Sequence, residues 1–216
     1  MKSGNKIGIF LLVFFILLGG AFGFYYYKTY KEETPKKKLG VLGRPGHLVR
    51  PFSLIDQDGK TVTEKDVAGK IYVVEYFFTT CKGICPKMNE QVDRIYKAFR
   101  GNKDVMILSH TVDPRKDTVE AMKEYSLRFE ADPKQWKFLT GSKKDLYELA
   151  YYSYLVTAGD SSVIDVESDF LHTDLLVLVD KHGRLRGNSG SQAYHGTDPA
   201  SVNQLIGDMK ELLREE

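Results

Sequence analysis

The hydrophobic positions of this chain fall into one long unbroken run and a series of short ones, and that contrast divides it. From Ile7 to Tyr27, "IGIFLLVFFILLGGAFGFYYY", 21 residues pass without a charge. A helix needs about 20 apolar residues to cross a bilayer, and tyrosines at its end suit the water interface. The pattern predicts a transmembrane anchor at 7–27, a short tail at 1–6 and a charged stalk at 28–44, opening with "KTYKEETPKKK". A cleaved signal peptide is the competing reading. Its apolar stretch is usually shorter, and no small-x-small cleavage site follows Ala21. Lysines flank the run on both sides, so charge alone does not orient it. A short N-terminal tail with the rest exported is the expected arrangement: a single-pass protein of the cytoplasmic (inner) membrane, with its C-terminal domain on the periplasmic side.

Beyond the stalk the apolar runs are short and alternate in period. "HLVRPFSLIDQDGKTVTEKDV" (His47–Val67) reads as a hairpin around Asp58-Gly59, and "KIYVVEYFF" (Lys70–Phe78) as a buried strand. "PKMNEQVDRIYKAFR" has apolar residues at Met88, Val92, Ile95, Tyr96 and Phe99, a helical spacing, with Pro86 suited to the first turn. A strand at Asp104–Pro114, a helix at Asp117–Phe129, a strand at Trp136–Thr140 and a helix at Ser142–Ser153 follow. After a polar, acidic interval (Thr157–Asp169), the strand "DLLVLVD" (Asp174–Asp180) leads through "KHGRLRG" as a hairpin to a helix from Pro199 to Leu213. Strands alternating with helices predict an α/β domain over 45–216, a mixed sheet covered on both faces, with the late hairpin as an antiparallel edge.

Charge removes one class of function. The whole chain is +2, but residues 1–38 hold seven Lys and two Glu, which leaves 24 basic against 27 acidic side chains in 39–216. The basic excess belongs to the membrane-proximal segment, where anionic headgroups attract it. The remainder lacks the footprint of a nucleic-acid binder.

The chain has two cysteines, Cys81 and Cys85, in "YFFTTCKGICPKMN". As a structural disulfide they would close a loop so short that it constrains the unfolded chain by only about 2 kcal/mol, against about 3 for fifteen residues. The neighbours Thr79, Thr80, Lys82 and Gly83 are loop residues, which argues against two inert core thiols. A strand, a cysteine loop and a helix opening near the second cysteine is instead the setting of thioredoxin-like redox sites. Main-chain N–H groups and the helix dipole there favour the thiolate, the form that attacks disulfides and binds metals. Three intervening residues leave room for an ion, and two soft thiolates select Cu(I) and related metals.

A third ligand would be sought among five histidines. His182 reads as a turn residue, His195 as part of a Gly/Ser-rich loop, and His47 as a residue preceding the first strand. His110 ends a strand on the side where site loops gather and is a weaker candidate. His172, in "DFLHTDLLVLVD", stands just before an apolar strand, where thioredoxin-like proteins usually carry a cis-proline facing the cysteines. No proline lies between Pro133 and Pro199.

Together "CKGICP", "TVDPRKDT" followed by "MKEYSLRF", "WKFLTGS" and "LHTDLLVLVDKHGRLRG" resemble the Sco/SenC family across nearly all of residues 45–215. The resemblance implies a membrane-anchored, thioredoxin-like copper protein of cytochrome c oxidase assembly. Cys81 and Cys85 would be its copper thiolates and a redox-active pair, and His172 the third ligand for Cu(I) or Cu(II). His110 is not among the family's usual ligands. The implied partners are the copper-bearing subunit of the oxidase, other copper carriers and thiol reductants. The implied task is to deliver copper to the dinuclear centre or to reduce its cysteines, without acting as a turnover enzyme. Many members have Pro after the first cysteine, where this chain has Lys82-Gly83, a more flexible and more positive loop.

Two other functions compete. A thiol–disulfide oxidoreductase needs Cys81, Cys85 and an external electron donor, and tolerates loss of His172. A peroxiredoxin-type peroxidase would need a Thr and an Arg beside its cysteine; Thr79 and Thr80 are present, and the sequence assigns no arginine.

Overall fold

The computed structural model describes residues 4–33, 39–156, 173–187 and 193–215. The chain divides into two compact units, Met1–Lys38 and Leu39–Glu216. The first holds helix α1, Gly4–Glu33. Its stretch Lys6–Lys28 is long and apolar enough to cross a membrane. Large apolar side chains from Ile7 to Phe24 are exposed all round it, with no single core-facing stripe. The helix runs six residues past Tyr27, into the segment expected as stalk.

The second unit is built on one mixed sheet. In chain order its elements are β1 (Gly40–Val41), β2 (Ser53–Asp56), β3 (Thr61–Thr63), α2 (Glu64–Val67), β4 (Ile71–Phe77), α3 (Cys85–Phe99), β5 (Val105–Thr111) and α4 (Val119–Leu127). Then come β6 (Trp136–Thr140), α5 (Lys143–Glu148) with a π-helical turn at Leu149–Ser153, β7 (Leu175–Val179), β8 (Leu185–Gly187), β9 (Tyr194–His195) and α6 (Pro199–Leu212). Among the described residues the strand order is β1-β8-β7-β4-β5-β6-β2-β3, with β9 also paired to β7. β4, β5 and β6 are parallel neighbours, and the pairings of β7, β8, β1, β2, β3 and β9 are antiparallel.

β4 is buried at all seven positions, as expected of a strand covered on both faces. Alternation sends Ile71, Val73 and Phe77 to one face, where they meet Met88, Val92, Ile95 and Phe99 of α3, Met122 and Tyr125 of α4, and Val202, Leu205 and Met209 of α6. Tyr72, Val74 and Tyr76 go to the other face, with Val67, Leu146, Tyr147 and Tyr154. The Cys81 loop leaves β4 at the sheet end where β5 and β6 also finish. β7 runs antiparallel to β4, Val74 opposite Val177 and Tyr72 opposite Val179, so β7 begins at that same end.

Three details depart from the sequence reading. The hairpin turns at Asp58-Gly59, with Gly59 at φ +73°, but the segment after Thr63 coils into α2 instead of extending the strand. Asp66 accepts the Thr63 N–H at 2.8 Å and starts that turn. The folded unit also begins at Leu39 and not at 45. Buried Arg186 donates to the carbonyls of Leu39 (3.0 Å) and Gly40 (3.3 Å), to Asp180 (2.9 Å) and to Glu215 (3.0 Å), tying the first strand and the C-terminus to one guanidinium. The helix expected to end at Ser153 widens into the π turn, after which Leu155 takes φ +54°. The acidic interval 157–169 lies outside the described residues.

Candidate functional site

Cys85 is the first residue of α3 and Pro86 the second, a position where the missing proline N–H costs no helical bond. Ile84, just ahead of the helix, accepts the Met88 N–H at 3.0 Å. Both thiols are free; Cys81 is partly exposed and Cys85 buried. The Cys81 sulfur meets the Cys85 thiol and the main-chain N–H groups of Cys85, Gly83 and Ile84. Burial opposes its ionisation, but these hydrogen bonds outweigh it and hold the Cys81 pKa below the ordinary value. Cys85 goes the other way. Burial, the proton it shares with Cys81 and the charges of Cys81 and Glu75 push it up to about 12. The loop therefore presents one reactive sulfur and one that keeps its proton.

Beneath the pair lies a polar group that the sequence reading passed over. Glu75 is fully buried on the cysteine-side face of β4 and accepts from the Ser109 hydroxyl, which accepts from Trp136 Nε1 at 2.8 Å. Burial raises its pKa to about 7, with the Ser109 bond acting against the rise. Asn89, one turn into α3, donates to the Tyr125 hydroxyl at 3.0 Å. Glu75 Oε2 and Asn89 Oδ1 are buried without a hydrogen-bond partner among the described residues. Tyr125 is raised by burial and by the charges of Glu75, Cys85 and Cys81, which places all four groups in one electrostatic neighbourhood. A lone carboxylate inside "IYVVEYFF" was the visible signal.

A second carboxylate fixes the loop from the side. Asp117, buried, accepts from the Thr79 N–H (3.2 and 3.3 Å), the Thr79 hydroxyl and the Thr111 hydroxyl. Val112 N–H also donates to the Phe77 carbonyl at 2.9 Å. The exits of β4 and β5 are thus joined two residues before Cys81. Thr79 spends its hydroxyl on Asp117 and not on a thiol, which weakens the peroxidase reading.

The histidines separate clearly. His110 is fully buried on the opposite face, stacked on Tyr76 (5.1 Å) and edge-on to Tyr154 (5.6 Å), with its pKa lowered to about 3 by burial. It turns away from the thiols because strand alternation gives the cysteine face to Ser109. His47 Nε2 donates to the Ser153 carbonyl at 2.8 Å. His182 sits in the β7–β8 turn, and His195 lies on β9, not in a loop. His172 lies outside the described residues; Thr173 and Asp174, the next two, enter β7 at the end of the sheet that carries the Cys81 loop. No three His, Cys, Asp or Glu side chains converge as a metal site among the described residues.

A mixed sheet with a dithiol loop between a buried strand and the helix it starts defines a thioredoxin-like dithiol protein. The SCO1/SenC family model matches residues 42–207, and the chain belongs to that family. It is similar to the SCO1 protein homolog of Bacillus subtilis, 28% identical over 164 residues, covering 75% of this chain and 81% of the relative. A solved structure of BsSco, described as a member of the Sco family of cytochrome c oxidase assembly proteins with a disulfide switch, matches with a TM-score of 0.64 at 26% identity, over 82% of this chain and 99% of the other. Bradyrhizobium japonicum ScoI, solved with copper bound, matches with a TM-score of 0.59 at 26% identity, over 76% and 99%.

Proposed function

We propose that this chain is a membrane-anchored copper-binding assembly factor for cytochrome c oxidase, with Cys81, Cys85 and His172 as its copper ligands. The observation that carries the reading is the pair of unoxidised thiols held together at the start of α3, with Cys81 supported as a thiolate by three main-chain N–H groups. That donor set fits a soft ion. Copper is the cargo here. Cys81, the partly exposed and more acidic sulfur, meets it first; Cys85 gives up its proton to become the second donor, and His172 completes the set. The acceptor is the copper-bearing subunit of the oxidase, reached from the extracytoplasmic side of the membrane, where α1 (Gly4–Glu33) anchors the domain.

The asymmetry of the thiols favours a second reading, reduction of a partner disulfide. The Cys81 thiolate attacks one sulfur of the partner disulfide and displaces the other as a thiol. Cys85 then attacks the mixed disulfide, leaving the partner a dithiol and this chain a Cys81–Cys85 disulfide. An external dithiol returns it to the reduced state.

Copper titration of the reduced, detergent-solubilised full chain separates these readings. Cu(I) is read by chelator competition and Cu(II) by its thiolate charge-transfer band. One tight equivalent, lost both in Cys81→Ser/Cys85→Ser and in His172→Ala, is the expected result. Binding that survives His172→Ala undiminished overturns the three-ligand site and leaves disulfide exchange.

A further inference from the structure

Between Phe77, the last residue of β4, and Cys85, the first of α3, the chain is held by few contacts. Phe78 and Cys81 pack in part against the core, while Thr80, Lys82, Gly83 and Ile84 are exposed. A Cβ on Gly83 would meet nothing within 4 Å. The place of the Cys81 sulfur is therefore set chiefly by the two ends of the loop. One end is Cys85, fixed by the start of α3. The other is Thr79, two residues before Cys81, whose N–H and hydroxyl both donate to the Asp117 carboxylate. Cys81 is tied to that end by its own N–H, which donates to the Phe78 carbonyl at 3.2 Å.

Asp117 is a fixed point without any help from the loop. Its N–H donates to the Asp113 carbonyl, and its own carbonyl accepts from the Thr140 hydroxyl, each at 2.9 Å. These bonds tie it to the turn that leaves β5 and to the end of β6. The next residue, Thr118, caps α4 by accepting the Ala121 N–H at 3.3 Å. The buried carboxylate also accepts from the Thr111 hydroxyl, on β5 itself. β5, β6 and α4 thus hold Asp117, and Asp117 holds Thr79. Position passes from the sheet to the loop.

We propose that Asp117 is the positioning residue of the dithiol: through Thr79 it holds Cys81 where its sulfur meets Cys85. The inference rests on the dithiol site shared by both readings above. Groups that act together gain from being held in the right geometry, and a small displacement caused far from the reacting atoms is costly. Without the brace, the exposed Lys82-Gly83 segment lets Cys81 sample more positions. Its effective concentration toward Cys85, or toward an ion shared with Cys85, then falls.

Equilibration of the full chain in detergent with glutathione buffers tests it. One oxidised glutathione takes two electrons and two protons from Cys81 and Cys85, leaving the intramolecular disulfide and two glutathione thiols. The constant, read by alkylation and mass spectrometry, measures the effective concentration of one sulfur at the other. Both sides are folded chain, so a loss of global stability does not by itself move it. Thr79→Val keeps the main-chain bond and the side-chain shape but removes the hydroxyl, and should shift the constant toward the dithiol by about tenfold. Thr79→Ser, which restores the hydroxyl, should return it to wild type. Thr111→Val removes a hydroxyl bond to the same carboxylate from the β5 side and should leave the constant unchanged. Asp117→Ala should shift it at least as far as Thr79→Val; if that variant does not fold, the Thr79 pair decides. A wild-type constant in Thr79→Val or in folded Asp117→Ala overturns the inference. So does an equal shift in Thr111→Val, or a shift in Thr79→Ser as large as in Thr79→Val. Copper takes no part in this equilibrium. A chain that binds no copper but shifts in this way loses the copper reading and keeps the brace, and one that binds copper without the shift does the reverse.

Discussion

Glu75 and Tyr76 are neighbours on β4, and Ser109 and His110 are neighbours on β5, yet each pair divides between opposite faces of the sheet. Both faces thus bury polar groups that lack a well-formed hydrogen bond among the described residues: Glu75 Oε2 and Asn89 Oδ1 on one, and both His110 nitrogens, which only approach the Leu108 and Glu75 main chain, on the other. The first set sits under the dithiol loop and shares charge with Cys81, Cys85 and Tyr125. The second is walled in by Tyr76 and Tyr154 and reaches no described thiol. Buried polarity alone does not make a site. The difference is connection to a loop that brings a reactive atom to the surface.

Three measurements bear on that contrast, and the largest effect is expected at the thiols. With Cys85 pushed up to about 12 and Cys81 held below its ordinary value, Cys81 is the sulfur that carries the thiolate first as pH rises. Brief iodoacetamide treatment followed by peptide mass mapping should label Cys81 and spare Cys85. Equal labelling would remove the asymmetry on which the disulfide-exchange reading rests.

Next comes Glu75. Its folded pKa of about 7 stands above an unfolded value near 4.5, so its favourable contribution is fully present below pH 4.5 and is lost as pH rises through 7. The shift corresponds to about 3 kcal/mol. Glu75→Gln should match wild type in urea-unfolding stability near pH 4.5 and exceed it by about that amount at pH 8. A pH-independent difference would mean that the carboxyl is not the titrating group.

The smallest effect belongs to the closed face. His110→Phe removes two nitrogens that only approach the Leu108 and Glu75 main chain and make no well-formed hydrogen bond among the described residues, and should raise stability by about 1 kcal/mol, leaving alkylation of Cys81 unchanged. A fall in stability would show that the imidazole finds a partner in solution, and a change in Cys81 reactivity would break the separation of the faces.

Much of the architecture was legible because period and burial go together. The buried β4 and β7, the helical spacing from Met88 to Phe99 and the turn at Gly59 all follow from local pattern. Two of the missed elements, β1 and β9, are two residues each, too short to show a period, and exist through pairing with β8 and β7. His110 illustrates a limit of another kind. Its position at a strand end was readable, but the face it takes depends on register, and one residue of alternation separates it from Ser109 on the cysteine side.

The sequence by itself determined the apolar helix, the alternation of strands and helices, and the adjacency of Cys81 and Cys85 ahead of a helix-starting proline, since each depends on residues within one or two turns of each other. Tertiary structure decided what surrounds the thiols. Glu75 lies beneath them because β4 packs under α3, and Asp117 braces their loop because the exits of β4 and β5 meet. These approaches join residues tens of positions apart, and only chain folding, through strand order and strand direction, brings them together.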